Sequence, residues 1–159
     1  FDFTEVLVDP YILLVAADSP LAGNGPVGLE DVAELPLIGH VTCRVLPRVE
    51  EALRAQGVEP NFVFRSDIIG TVQALVGAGV GSAIIPRLAV DATDPSTAIV
   101  EFADEMPVQP RLISLFWHRD RYRSPAAIGF VEAAVEVCAQ VTAELDGVLH
   151  PLVRRSRSA

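Results

Sequence analysis

Thr71-Val72-Gln73-Ala74-Leu75-Val76-Gly77-Ala78-Gly79-Val80-Gly81-Ser82-Ala83-Ile84-Ile85-Pro86 is the stretch whose reading decides the fold. Ile69, Val72 and Val76 make one apolar stripe at helical spacing, and Gly77 and Gly79 end that helix. Ser82 to Ile85 then reads as a short buried strand closed by Pro86. The glycines invite a dinucleotide reading, but that fingerprint needs a strand before them and a helix after, so that the helix N-terminus faces pyrophosphate. Here the polarity is reversed. The stretch predicts a tight helix-to-strand turn with positive φ at Gly79.

Upstream, Ser66 or Asp67 caps the same helix, and Asn61 to Arg65 alternates as a strand does. Arg44 to Gln56 carries Val45, Val49 and Ala52 or Leu53 at helical spacing, with Gly57 as its stop. Leu29 to Leu35 is a short helical turn, Pro36 to Ile38 an extended apolar piece, and Gly39 to Cys43 a connection. Asp18 to Gly28 is a loop. Thr4 to Ala16, interrupted by Pro10, is two short strands or one bent one. Downstream, Thr97 to Phe102 and Arg111 to Trp117 are strands flanking an acidic turn with Asp104 and Glu105. The last helix has Ser124 as cap, Pro125 at its first position, and Ile128, Val131, Val135, Cys138, Val141 and Leu145 three or four apart. The order of strands and helices predicts an α/β domain with parallel pairing around one sheet.

A 159-residue chain that is 50% hydrophobic has enough apolar material for one real core. Its net charge of -9 argues against a phosphate-neutralising face, so the chain itself is not expected to bind DNA. All 12 basic residues are arginine. Cys43 and Cys138 lack metal-site or redox spacing; a single bridge stays open, and a reduced cytoplasmic setting fits better. No signal-peptide pattern opens the chain, and no apolar run approaches the roughly 18 residues of a membrane span. Starting at Phe1, the chain reads as part of a longer protein.

Catalytic chemistry finds no residues to carry it. Gly81-Ser82-Ala83 lacks the pattern and following helix of a nucleophile elbow. His40, His118 and His150 are too scattered for a metal site, and neither metal nor cofactor is expected. His118 to Arg123 reads as a solvated connection. Two helix N-termini fed by small polar residues remain, Thr42-Cys43-Arg44 and Ser66-Asp67-Ile68-Ile69. In open α/β folds ligands bind at the carboxyl ends of strands, where these two loops should lie side by side. Arg44 and unpaired N–H groups there suit a carboxylate.

Residues 71–86 resemble the signature TLLALVAAGLGIALLP of the effector-binding domain of LysR-type transcriptional regulators. Asp9 to Val15 followed by Ser19-Pro20-Leu21-Ala22, Leu29 to Ile38, Leu53-Arg54-Ala55-Gln56-Gly57, and Ser124 to Phe130 are similar to further family passages in the same order. The resemblance spans roughly residues 4–142.

It implies a periplasmic-binding-protein-like (type 2) effector domain with a complete second lobe and a partial first lobe. Residues 1–10 would be a hinge strand leaving lobe one, 11–103 lobe two, 104–146 the returning strand and final helix, and 147–159 a disordered tail. A small-molecule effector, with carboxylates as one candidate class, would be contacted by Thr42, Cys43, Arg44, Ser66, Asp67 and Ile68, and by Gly81 or Ser82. DNA would be reached only through an N-terminal helix-turn-helix outside this chain, in a cytoplasmic homo-oligomer. The rival expectation is a solute-binding module of a transport system on the same fold.

Overall fold

A computed structural model describes residues 1–41, 46–103 and 108–148. Along the chain come β1 (Asp2–Asp9), β2 (Tyr11–Ala16), α1 (Leu29–Ala33), β3 (Pro36–His40), α2 (Leu46–Ala55), β4 (Asn61–Ser66) and α3 (Ile69–Gly77). β5 (Ala83–Pro86), a single 3-10 turn (Arg87–Ala89), β6 (Thr97–Val100), β7 (Arg111–Trp117) and α4 (Pro125–Val148) follow. Two compact units result. One comprises Phe1–Asp9 with the residues from Arg111 onward, the other Pro10–Pro110.

The Pro10–Pro110 unit is organised around β2, of which Tyr11 to Val15 are all buried. Alternation along the strand divides them between two cores. Tyr11, Leu13 and Val15 pack with Val32 of α1, Leu37, Val49 and Leu53 of α2, and Val100. Ile12 and Leu14 face the other way, onto Ile38, Ala83 and Ile85 and onto Val72 and Val76 of α3. The sheet thus has helices on both faces, which is why its central strand is apolar throughout instead of alternating.

Strand direction departs from the expected parallel order. β3 and β4 are parallel, and Leu37 and Ser82 form a parallel bridge beside them. β2 instead runs antiparallel to both of its neighbours, β5 and β6. The reason is physical: a strand buried on both faces has the same apolar pattern in either direction, so its residues do not encode its polarity.

The turn between α3 and β5 depends on two glycines in different ways. Gly79 sits at φ 74°, in the left-handed region, and its N–H donates to the Val76 carbonyl at 2.9 Å. At Gly81 a Cβ would stand 2.6 Å from the Pro36 carbonyl oxygen, so here glycine permits close approach of β3. α3 begins later than its expected caps: the N-cap is Ile68, with no side-chain cap. The Ser66 hydroxyl instead accepts from the Ile68 N–H at 3.1 Å, making a turn ahead of the helix.

In the other unit β1 and β7 pair antiparallel from Asp2 with Trp117 to Asp9 with Arg111, through an irregularity between Glu5 and Leu7. α4 opens as expected: the Ser124 hydroxyl accepts from the Ala127 N–H at 3.2 Å. The helix packs on β1. Val131, Ala134, Cys138 and Val141 are its half-buried stripe, while Val135, expected on the same apolar face, is 44% exposed. Cys138 is a free thiol. The tail beyond Val148, like the turn with Asp104 and Glu105, lies outside the described residues.

Candidate functional site

β3 and β4 run in the same direction and end together. His40 stands opposite Ser66 on the last rung, and the Val41 N–H donates to the Ser66 carbonyl at 2.9 Å. The loop leaving β3 therefore starts against the loop that leads from β4 into α3. His40 Nε2 lies 3.3 Å from the Asp67 carbonyl oxygen, to which an Nε2–H donates, and this ties the two loop roots together.

Ser66, Asp67 and Ile68 occupy this edge as a polar turn leading into a nine-residue helix. The first N–H groups of a helix have no partner within it and carry partial positive charge. The flank of this first turn is open, since a Cβ added at Gly70 would meet nothing within 4 Å. Ile68 is 61% exposed and offers an apolar wall beside the polar turn. Arg65, the nearest described cation on β4, is engaged elsewhere. Its Nη1 lies 2.7 Å from Glu50 and its guanidinium 4.2 Å above the Phe62 ring. Among the described residues of the edge, the helix terminus is thus the anion-favouring element.

The expected site residues divide three ways. Ser66, Asp67 and Ile68 are brought together against Val41. Thr42, Cys43 and Arg44 follow Val41 in the chain and lie outside the described residues. Gly81 and Ser82 are placed elsewhere. Ser82 bridges Leu37, donating to the Pro36 carbonyl at 2.8 Å and accepting from the Ile38 N–H at 2.7 Å. Leu37 is three residues back from His40, about 10 Å along the strand at the usual rise. Gly81 and Ser82 thus belong to the opposite end of β3, where their backbone joins β5 to the sheet. His40 is the residue that sequence reasoning left out. Its only signal was its place at the end of an apolar strand, and it read as one scattered histidine among three.

Residues 1–139 match the family model of the LysR substrate binding domain. The chain belongs to this family, the effector-binding part of LysR-type transcriptional regulators. The uncharacterized HTH-type transcriptional regulator YbhD of Escherichia coli is 26% identical over 99% of this chain and 49% of its own length. The chain spans about half the length of that curated relative. The C-terminal domain of a probable LysR family regulator from Rhodococcus is similar in structure, with TM-score 0.65 and 25% identity, covering 84% of this chain and 66% of that one. The effector-binding domains of QuiR with shikimate (TM-score 0.65, 20% identity, 87% and 66% covered) and of BenM with benzoate (0.61, 19%, 95% and 67%) share the fold.

By length and composition Pro125–Ala143 is apolar enough to cross a bilayer. It packs on β1, and the family match runs through most of it, so it is read as a helix of the domain.

Proposed function

We propose that the edge formed by the ends of β3 and β4 and the start of α3 binds a small carboxylate effector. The observation that carries this reading is the His40–Ser66 rung, which sets the root of the first predicted loop against the second in front of an uncapped helix N-terminus. A carboxylate there accepts from helix N–H groups, and the Ser66 hydroxyl and Ile68 side chain provide polar and apolar contact. Arg44, three residues after Val41 in the chain, has the side-chain chemistry to offer a fork to a second oxygen. That QuiR and BenM were solved with shikimate and benzoate, both carboxylic acids, supports this chemical class.

The domain acts as a sensor and not as a catalyst, and it reaches DNA through a separate part of a longer regulator. Binding shifts populations of the regulator only to the extent that the effector prefers one state. The regulator works as a homo-oligomer. Association would cover apolar side chains that stand exposed in the single chain, such as Phe3, Phe116 and Phe130.

Calorimetric titration of the protein with a panel of small carboxylates, benzoate and shikimate included, tests the site. Saturable heat from at least one acid, weakened by Ser66→Ala and Arg44→Met, is expected. Absence of binding by every acid in the panel, or full affinity in both variants, overturns it.

A further inference from the structure

The two units are joined at two peptide junctions, Asp9–Pro10 and Pro110–Arg111. Both leave the same end of the β1–β7 ladder, because Asp9 and Arg111 are partners on its last rung. Their side chains are joined as well. Arg111 Nε donates to Asp9 Oδ2 at 2.9 Å and Nη2 donates to the same oxygen. The Asp9 side chain is fully buried, whereas Arg111 keeps 38% of its side chain exposed.

Each crossing is also stiff on its own. Proline fixes φ at residues 10 and 110, and the residue before each, Asp9 and Gln109, is confined to extended conformations. Few dihedrals are left at which either strand can bend independently. A charge-assisted fork between the strands removes more of that freedom, since splaying them would break two hydrogen bonds to a buried carboxylate.

We propose that the Asp9–Arg111 pair is a clasp that makes the two crossings a single stiff hinge, and so restricts how widely the two units reorient. The clasp acts on the range of orientations and not on the folding of either unit. It is independent of which effector the domain takes, or of whether it takes one.

Spin labels on cysteines placed at Glu51 and Glu136, one exposed position in each unit, measure the effect in the 159-residue chain with Cys43 and Cys138 replaced by serine. The expected result is a narrow inter-label distance distribution in the parent and a broader one in Asp9→Asn and in Arg111→Met, with helix content unchanged. Arg111→Met takes a charged partner from a buried carboxylate and is the harsher change. Asp9→Asn leaves an arginine that water already reaches, and it carries the test if the other variant loses its fold. Distributions of equal width in the parent and in folded Asp9→Asn overturn the clasp.

Discussion

The side chain of Gln73 pairs with the backbone of Asp91 as one strand pairs with another. Its Oε1 accepts from the Asp91 N–H at 3.0 Å, and its Nε2 donates to the Asp91 carbonyl at 2.8 Å. Gln73 is a buried polar residue on α3, and through this pair it holds the segment between the 3-10 turn and β6 against the helix. Gln73→Leu would keep the bulk, leave the Asp91 N–H without its partner, and leave the Asp91 carbonyl only the longer bond from the Asp94 N–H at 3.3 Å. A loss of about 1–2 kcal/mol is expected, from one orphaned amide and one weakened carbonyl at a site that water partly reaches. Urea denaturation followed by circular dichroism measures it, and an unchanged midpoint would refute the role given to the amide.

Gly81 and Gly129 make opposite predictions. At Gly81 a Cβ meets the Pro36 carbonyl, which is itself bonded to the Ser82 N–H, so Gly81→Ala must push β3 from β5. Overpacking of this kind costs about 1–3 kcal/mol. At Gly129, inside α4, a Cβ meets nothing within 4 Å. Gly129→Ala should stabilise by roughly 0.5–1 kcal/mol through helix propensity. Thermal melts of the two variants should therefore move in opposite directions.

Leu13 of β2 is fully buried between α1, α2 and the neighbouring strands. Leu13→Ala is expected to destabilise by about 2–5 kcal/mol, as truncation of a core leucine leaves a cavity. Leu112, 55% exposed on β7, should tolerate the same change at under about 0.5 kcal/mol. Comparable losses in both would show that the core does not lie where the burial pattern puts it.

Acid should loosen the segment after the 3-10 turn only below the ordinary range of carboxylate titration. The Thr93 hydroxyl and N–H both donate to Asp91 Oδ1, and those of Ser96 to Asp94 Oδ1; each pair holds its carboxyl below the usual carboxylate value. A carboxyl with a lowered folded-state pKa stabilises fully above its unfolded value, and that contribution is lost as pH falls through the lowered one. The amide resonances of Thr93 and Ser96 should thus hold their positions through the ordinary range of carboxylate titration and shift only at more acidic pH. Movement of both amides within the ordinary range would contradict this.

Local signals in the chain proved sufficient where one segment decides its own structure. Ser124 and Pro125 announce α4 because a cap and a fixed φ act within a single turn. Gly79 announces the end of α3 because only glycine takes its φ at no cost. The start of α3 was less legible. Ser66 and Asp67 both have capping chemistry, but the hydroxyl of Ser66 is spent on a turn with Ile68, and which competing local bond forms depends on where β4 ends.

The sequence by itself determined the elements, the division of apolar residues into strand and helix patterns, and the resemblance that the family match confirms. Only the tertiary structure decided which ends of those elements meet. It turned β2 antiparallel, set His40 beside Ser66, and moved Gly81 and Ser82 to the far end of β3. Side-chain periodicity reports which face of a segment is buried, and it is the same read in either direction. Strand polarity is settled by long-range pairing, and the chemistry gathered at one edge of the sheet depends on that polarity.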